Sequence, residues 1–178
     1  MGPHRRGGRG ALCRCGSHGC LEAYVGADAI LERYGRLAGL REPAAPGREL
    51  PQAAAAGAAA GRPSGRGADT EARLAALVAD AALPGPAADT VRATAEYLGI
   101  GIANLINLLG PDRVILSGWV SAAMGPAMLP AVRDAARRHT LDYLAERTVL
   151  ELGRLGPEQV ALGAATLPVH GLLTAGGR

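Results

Sequence analysis

Leu98-Gly99-Ile100-Gly101-Ile102-Ala103-Asn104-Leu105-Ile106-Asn107-Leu108-Leu109-Gly110-Pro111-Asp112-Arg113-Val114-Ile115-Leu116-Ser117-Gly118 changes its period part-way along. Up to Leu109 it is the second half of a helix that the pattern starts at Asp89. Val91, Ala95, Leu98, Ile102, Leu105 and Leu109 recur at helical spacing, and Ile106 widens the stripe. Gly110-Pro111-Asp112 stops the helix. Arg113 to Gly118 then reads as a short β-branched strand, whose continuous apolar run suits a parallel strand buried on both faces. Gly99 and Gly101 lie inside the helix, where each costs about 1 kcal/mol relative to alanine. Close packing of another backbone against the helix is a reason to keep them. Asn104 and Asn107 need partners if buried, and a cap or helix-end role suits them better than catalysis.

Toward the C-terminus, Gly118 and then Gly125-Pro126 precede a helix over Ala127–His139, a βα unit of the kind that can face a ligand. Thr148–Leu152 gives another strand. Pro157–Leu167 gives a closing helix with Gly163 and Ala164 as small packing residues, and the tail after Pro168 is expected to fray. Toward the N-terminus, Thr70–Leu83 is helical with Leu74, Leu77 and Val78 on one face, and Pro84-Gly85-Pro86 break it. Residues 41–69 lose periodicity and are dominated by Pro, Gly and Ala. They read as a surface insertion or linker with at most a helical turn around Gln52–Ala56. Leu21–Tyr34 reads as a further helix, ended by Gly35 and Gly39. Helix and strand alternate, which indicates an α/β layered fold. At 178 residues the chain is ample for one such domain and marginal for two.

All three cysteines lie in Cys13-Arg14-Cys15-Gly16-Ser17-His18-Gly19-Cys20-Leu21-Glu22. Ordinary buried cysteines have no reason to gather in one loop and be absent elsewhere. Thiolates at these separations, with glycines to turn the backbone, can converge on one metal ion. Sulfur ligands select soft or borderline metals, and zinc is the expected ion. Glu22 sits in the first turn of the following helix, where the macrodipole favours a carboxylate. It is either a helix-start acid or, placed two residues after a ligand, a functional group.

Nineteen basic residues, all arginine, leave a net charge of +3, but no stretch interleaves them with aromatics, so nucleic-acid binding is weakly indicated. Residues 1–10, MGPHRRGGRG, read as a solvated basic arm. No apolar run has signal-peptide or membrane-spanning form. A soluble, cytoplasmic protein without a membrane partner is expected. In a reducing compartment three cysteines again favour metal over disulfide.

Two stretches together resemble one family. Cys13-x-Cys15-Gly-x-x-Gly-Cys20-Leu-Glu22 resembles the zinc loop of the ROK family of repressors, uncharacterised frames and sugar kinases. Leu98-Gly99-x-Gly101-x-Ala103-Asn104-Leu105-x-Asn107-Leu108-x-Gly110-Pro111 through Val114-Ile115-Leu116-Ser117-Gly118 is similar to its second signature, and Ala161-Leu162-Gly163-Ala164-Ala165 to its end. The resemblance implies an actin-like, ribonuclease-H-like α/β lobe. It also implies a structural zinc held by Cys13, Cys15, Cys20 and a histidine, and a Glu22 that hydrogen-bonds sugar hydroxyls. In the family the histidine follows a glycine and stands ten residues before the first cysteine. That position is Pro3 here; His4, one residue out of register, is taken as the fourth ligand, and His18 inside the loop is the other candidate.

The family segment that carries the first phosphate-binding loop and the catalytic aspartate has no match in this chain. No catalytic residue is therefore assigned, and no kinase activity is expected of this chain alone. The chain reads as a C-terminal lobe, residues 1–178, with 41–69 inserted. Kinases of the family place consecutive glycines after the strand at 114–116. Ser117-Gly118-Trp119 stands there, so Ser117 and Gly118 form any nucleotide-side loop, and Trp119 obstructs a nucleotide. The wording of residues 22–31 is closer to repressor-type members. The resemblance thus implies the sugar-sensing lobe of a transcriptional regulator lacking its DNA-binding domain, a homo-oligomer that does not itself bind an operator. The alternative is the C-terminal lobe of an ATP-dependent, glucokinase-like sugar kinase, with ATP as its cofactor.

Overall fold

The computed structural model describes residues 10–40, 65–155 and 158–176. In chain order its elements are α1 (Glu22–Val25), α2 (Ala27–Leu37), α3 (Gly65–Asp80), α4 (Pro86–Leu109), β1 (Arg113–Leu116), α5 (Trp119–His139), α6 (Asp142–Arg147), β2 (Val149–Leu152) and α7 (Gln159–Thr174). β1 and β2 pair in parallel, with Arg113 opposite Val149 and Leu116 opposite Leu152. The crossover between them is α5 and α6. The result is a mixed α/β fold in which helices outweigh the sheet.

The central element is α4. Pro86 opens it, since its fixed φ suits the first helical position. Gly110 closes it in the left-handed region (φ 56°), with its amide donating to the Ile106 carbonyl at 2.8 Å. Its inner face is set by the approach of α5 at Gly99. A Cβ there would lie 2.4 Å from the Ala135 Cβ and 2.8 Å from the Ala136 nitrogen. The expected close backbone packing is therefore present at Gly99, whereas the nearest neighbour of Gly101 is the Leu21 side chain and not another backbone. Ala95, Ile102, Ala103 and Ile106, spaced one and two turns from Gly99, share that buried face. Leu105 and Leu109, expected on the apolar stripe, instead turn outward and are 49% and 74% exposed. Thr90 and Thr94 are buried, and each hydroxyl donates to the carbonyl four residues back, of Pro86 and Thr90, at 2.7 and 2.8 Å. Asn107 has the helix-end role expected of it. Its amide donates to the His139 carbonyl at 2.9 Å, and its oxygen accepts from the Leu141 amide at 3.0 Å, tying α4 to the turn after α5. Asn104 is exposed.

Around this pair the core is aliphatic. Leu74 and Leu77 of α3, Ile30 of α2, Met124 and Val132 of α5 and Leu150 of β2 are all buried. Val78 packs at its margin.

Several expectations change. The helix expected over Leu21–Tyr34 is two helices, because Gly26 is extended (φ −67°, ψ 154°) between α1 and α2. Any side chain at Gly26 would meet the Glu22 carbonyl at 2.7 Å. The second helix runs through Gly35 and is closed by Gly39 in the left-handed region. Helix α3 begins at Gly65, inside the stretch read as an insertion. Residues 41–64, with the turn expected near Gln52, lie outside the described residues.

The first strand is not buried on both faces. Arg113 and Ile115 are exposed while Val114 and Leu116 pack inward, because the described helices cover only one side of the sheet. Helix α5 starts directly after Gly118 and continues through Pro126 and Pro130. Both prolines are exposed, so the carbonyls they leave without an amide partner, those of Ala122 and Pro126, lie on the solvent side. Helix α6 was not foreseen. The last helix does not fray at Pro168 but extends to Thr174. Every residue of it from Ala161 to Thr174 is exposed, and a Cβ at Gly163 would meet nothing within 4 Å, so the packing role read for Gly163 and Ala164 is not realised among the described residues. No described helix is long and apolar enough to cross a membrane.

Beside the sheet, Arg133 of α5 donates through Nε and Nη2 to the Leu150 carbonyl at 2.9 and 2.7 Å. Arg113 and Glu151 form a cross-strand pair at 2.6 Å, exposed enough to contribute little.

Candidate metal centre

The cysteine loop is a tight antiparallel turn. Leu12 and His18 bridge across it, the Cys13 amide donates to the Ser17 carbonyl at 2.8 Å, and the Gly19 amide donates to the Ala11 carbonyl at 2.9 Å. Gly16 and Gly19 have φ of 87° and 79°, where a side chain is strained, so only glycine lets the loop fold back on itself.

The turn brings the three sulfurs within 4.8 Å of one another, with Cys13 buried, Cys20 half-buried and Cys15 exposed. Cys15 Sγ and Cys20 Sγ are 3.7 Å apart. A tetrahedral zinc with bonds of about 2.3 Å needs sulfurs roughly 3.8 Å apart. The donor set therefore fits a thiophilic ion of that size. The thiols also perturb one another. Donation from the Ser17 backbone amide, helped by the Cys13 and Cys20 thiols, lowers Cys15 to about 7. Cys20, hydrogen-bonded first to Cys15 and then to Cys13, is pushed up to about 11. Without a cation one negative charge is favoured at the expense of its neighbour, and a bound dication reverses that.

His18 lies on the turn but does not join the sulfur cluster, and His4 lies outside the described residues. Glu22 opens α1 and is half-exposed, with Arg14 Nη2 at 3.5 Å from its carboxylate. Ser117 and Gly118 are elsewhere, at the C-terminal ends of β1 and β2. There they line a hollow of about 190 Å³ with Ser121, Pro126, Gly153 and Leu155. Among the described residues that line it, none is charged. A larger groove of about 330 Å³, with Arg133, Arg137 and Glu146 on its wall, lies at the other end of the strands. Sequence reasoning gave no sign of it.

It also missed what holds the loop to the core. The Tyr24 hydroxyl accepts from the Ala11 amide at 2.9 Å, and its ring stacks on Tyr97 of α4 at 4.8 Å between centroids. Arg33 lies over the Tyr97 ring at 5.1 Å and donates to the Thr94 hydroxyl and the Tyr24 carbonyl, each at 2.7 Å. With only four tyrosines in the chain, their positions were the available signal. Replacing Arg33 with methionine keeps the stem and loses both charge-assisted bonds. Thermal unfolding should show a loss of about 2 kcal/mol, and an unchanged midpoint would remove Arg33 from this role.

A model of the ROK family matches residues 1–170. The chain belongs to the ROK family. This ROK chain is 26% identical over 163 residues to a glucokinase of Halalkalibacterium halodurans, covering 89% of itself and 43% of the relative. It is 27% identical over 158 residues to the DNA-binding transcriptional repressor Mlc of Escherichia coli, covering 88% of itself and 33% of that protein. It thus spans less than half the length of either relative. Among solved structures it is similar to a ROK family transcriptional regulator, a homologue of the Escherichia coli Mlc protein (TM-score 0.55, 25% identity, 82% of this chain and 32% of that one). It is equally similar to a ROK hexokinase from Thermus thermophilus (TM-score 0.55, 26% identity, 84% of this chain and 40% of that one). Repressors and sugar kinases are thus both among the relatives of this ROK chain.

Proposed function

We propose that this chain is the sugar-sensing lobe of a ROK-type transcriptional regulator, braced by a structural zinc. Cys13, Cys15 and Cys20 would hold the metal with a histidine, His4 in preference to His18. Four protein ligands leave no open coordination position, so the metal stiffens the loop and does no chemistry. Glu22, two residues beyond the last ligand, presents its carboxylate to sugar hydroxyls. Actin-like lobes carry larger sheets, and in this reading β1 and β2 are part of one. Homo-oligomerisation and a cytoplasmic location belong to the same proposal, which assigns no operator binding to this chain.

The observation that favours a sensor over a kinase is the hollow at Ser117 and Gly118. Its 190 Å³ and uncharged lining suit neither the size nor the charge of a nucleoside triphosphate. Trp119, 39% exposed, begins α5 directly beside it. The second reading, the lobe of an ATP-dependent sugar kinase, rests on the glucokinase and hexokinase relatives.

A thermal-shift panel separates the two. Stabilisation by one or more hexoses or amino sugars, and none by ATP, is expected; stabilisation by ATP alone would discard the sensor reading. In the same assay Glu22→Gln should keep its metal and bind the responding sugar about tenfold more weakly, the equivalent of ~1.4 kcal/mol for one charged hydrogen bond. Unchanged sugar affinity would clear Glu22 of that role.

A further inference from the structure

We infer that Cys15 and Cys20 form a peroxide-sensitive thiol pair whose oxidation to a disulfide dismantles the metal centre. The inference rests on the zinc reading for its consequence, and on the loop geometry for its choice of partners.

The three sulfurs are not equivalent. Cys15 is exposed, Cys20 is half-buried, and their sulfurs are 3.7 Å apart. Cys13 is 5% exposed, and its backbone is pinned on both sides: its amide donates to Ser17, and its carbonyl accepts from Gly16 at 2.9 Å. An oxidant arriving from solvent therefore meets Cys15 first, and the neighbour best able to reach it is Cys20. Between them lie Gly16 and Gly19, both in the left-handed region with open space where a side chain would stand. No side chain crowds the segment between the two sulfurs, so they can close to the shorter bond without a steric clash while its hydrogen bonds to Ala11 and Cys13 keep the loop in place.

The chemistry closes with hydrogen peroxide as the named oxidant. The Cys15 sulfur attacks one peroxide oxygen; an S–O bond forms, the O–O bond breaks, and the departing hydroxide takes up a proton as water. The Cys20 sulfur, as thiolate, then attacks the Cys15 sulfenic acid; the S–S bond forms, the S–O bond breaks, and the departing hydroxide takes up a proton as a second water. The two sulfurs together supply the two electrons that reduce the peroxide. Cys13 and one histidine are then the only ligands left, too few to retain zinc. Reduction by a dithiol restores the pair.

Arg14 makes the test direct, because trypsin cuts between Cys13 and Cys15. The zinc-loaded full chain is treated with one equivalent of hydrogen peroxide, alkylated and digested, while a chromogenic chelator follows the metal. The expected result is a Cys15–Arg33 peptide lighter by two hydrogens, an alkylated Cys13 in the separate Gly10–Arg14 peptide, and zinc release in step with the disulfide. A bond joining Cys13 to either partner, separately over-oxidised thiols, or retention of zinc by the disulfide form would overturn the inference. If the purified chain contains no metal, the zinc reading fails by itself, and peptide mapping still tests the pairing.

Discussion

Cys13→Ser is expected to lower bound zinc from about one per chain to less than about a tenth, measured by elemental analysis of protein made without a histidine tag. Cys13 is the buried member of the cluster, so its loss removes one ligand and unpacks the base of the loop. A site saturated a thousandfold over its dissociation constant stabilises the fold by about 4 kcal/mol. For a chain of this size that is roughly 8–16 °C in the unfolding midpoint. Chelation of the unsubstituted chain should reproduce most of that shift. Acid should weaken the site with a definite sign. Cys20, near 11, keeps its proton through the neutral range, so metal must displace at least that proton, and affinity falls at least about tenfold per unit of acidification. Below about 7 Cys15 is protonated too, and the fall steepens. Metal binding that is independent of pH between 6 and 8 would contradict thiolate ligation.

Gly99→Ala is the second large effect. The added methyl would stand 2.4 Å from the Ala135 Cβ and 2.8 Å from a backbone nitrogen, and neither can move without shifting α5. Alanine gains about 1 kcal/mol in helix propensity, but overpacking a helix–helix contact costs about 1–3 kcal/mol or more. With backbone as the obstacle, the upper end of that range applies. A net loss of about 2 kcal/mol is expected by chemical denaturation. Gly101→Ala is the control: the methyl there meets only the end of the Leu21 side chain, which can rotate away, and stability should stay within about 0.5 kcal/mol. Equal effects at both positions would mean that α4 and α5 do not approach as described.

The two glycines show how far the sequence could be read. Their presence in a strong helical pattern announced a close approach but not its partner, since α5 was expected to begin only at Ala127. Pro126 and Pro130 hid the first turns of that helix, because proline's cost depends on whether the freed carbonyls reach water, which is a tertiary fact. The cysteine spacing identified the thiol cluster outright, as local spacing and loop glycines suffice to fix it. The Tyr24–Tyr97–Arg33 clasp was not legible. It joins residues far apart in the chain, and no local pattern encodes which tyrosine meets which helix. Ile115 misled for a similar reason: an apolar strand shows its appetite for burial, not whether both of its faces are covered.

The grip of Arg133 on Leu150 has a consequence for colloidal behaviour. The amides of Val149 and Gly153 point toward β1, donating to Asp112 and Leu116, so the alternate residue Leu150 presents its carbonyl to the outer rim of the ribbon. A bare rim of that kind is a template on which an incoming strand can add, the first step of uncontrolled stacking. With both guanidinium donors on that oxygen, the acceptor such a strand would need is already taken. Among the described residues, Arg133 thus occupies one outward acceptor on the free edge of β2 while tying helix to sheet.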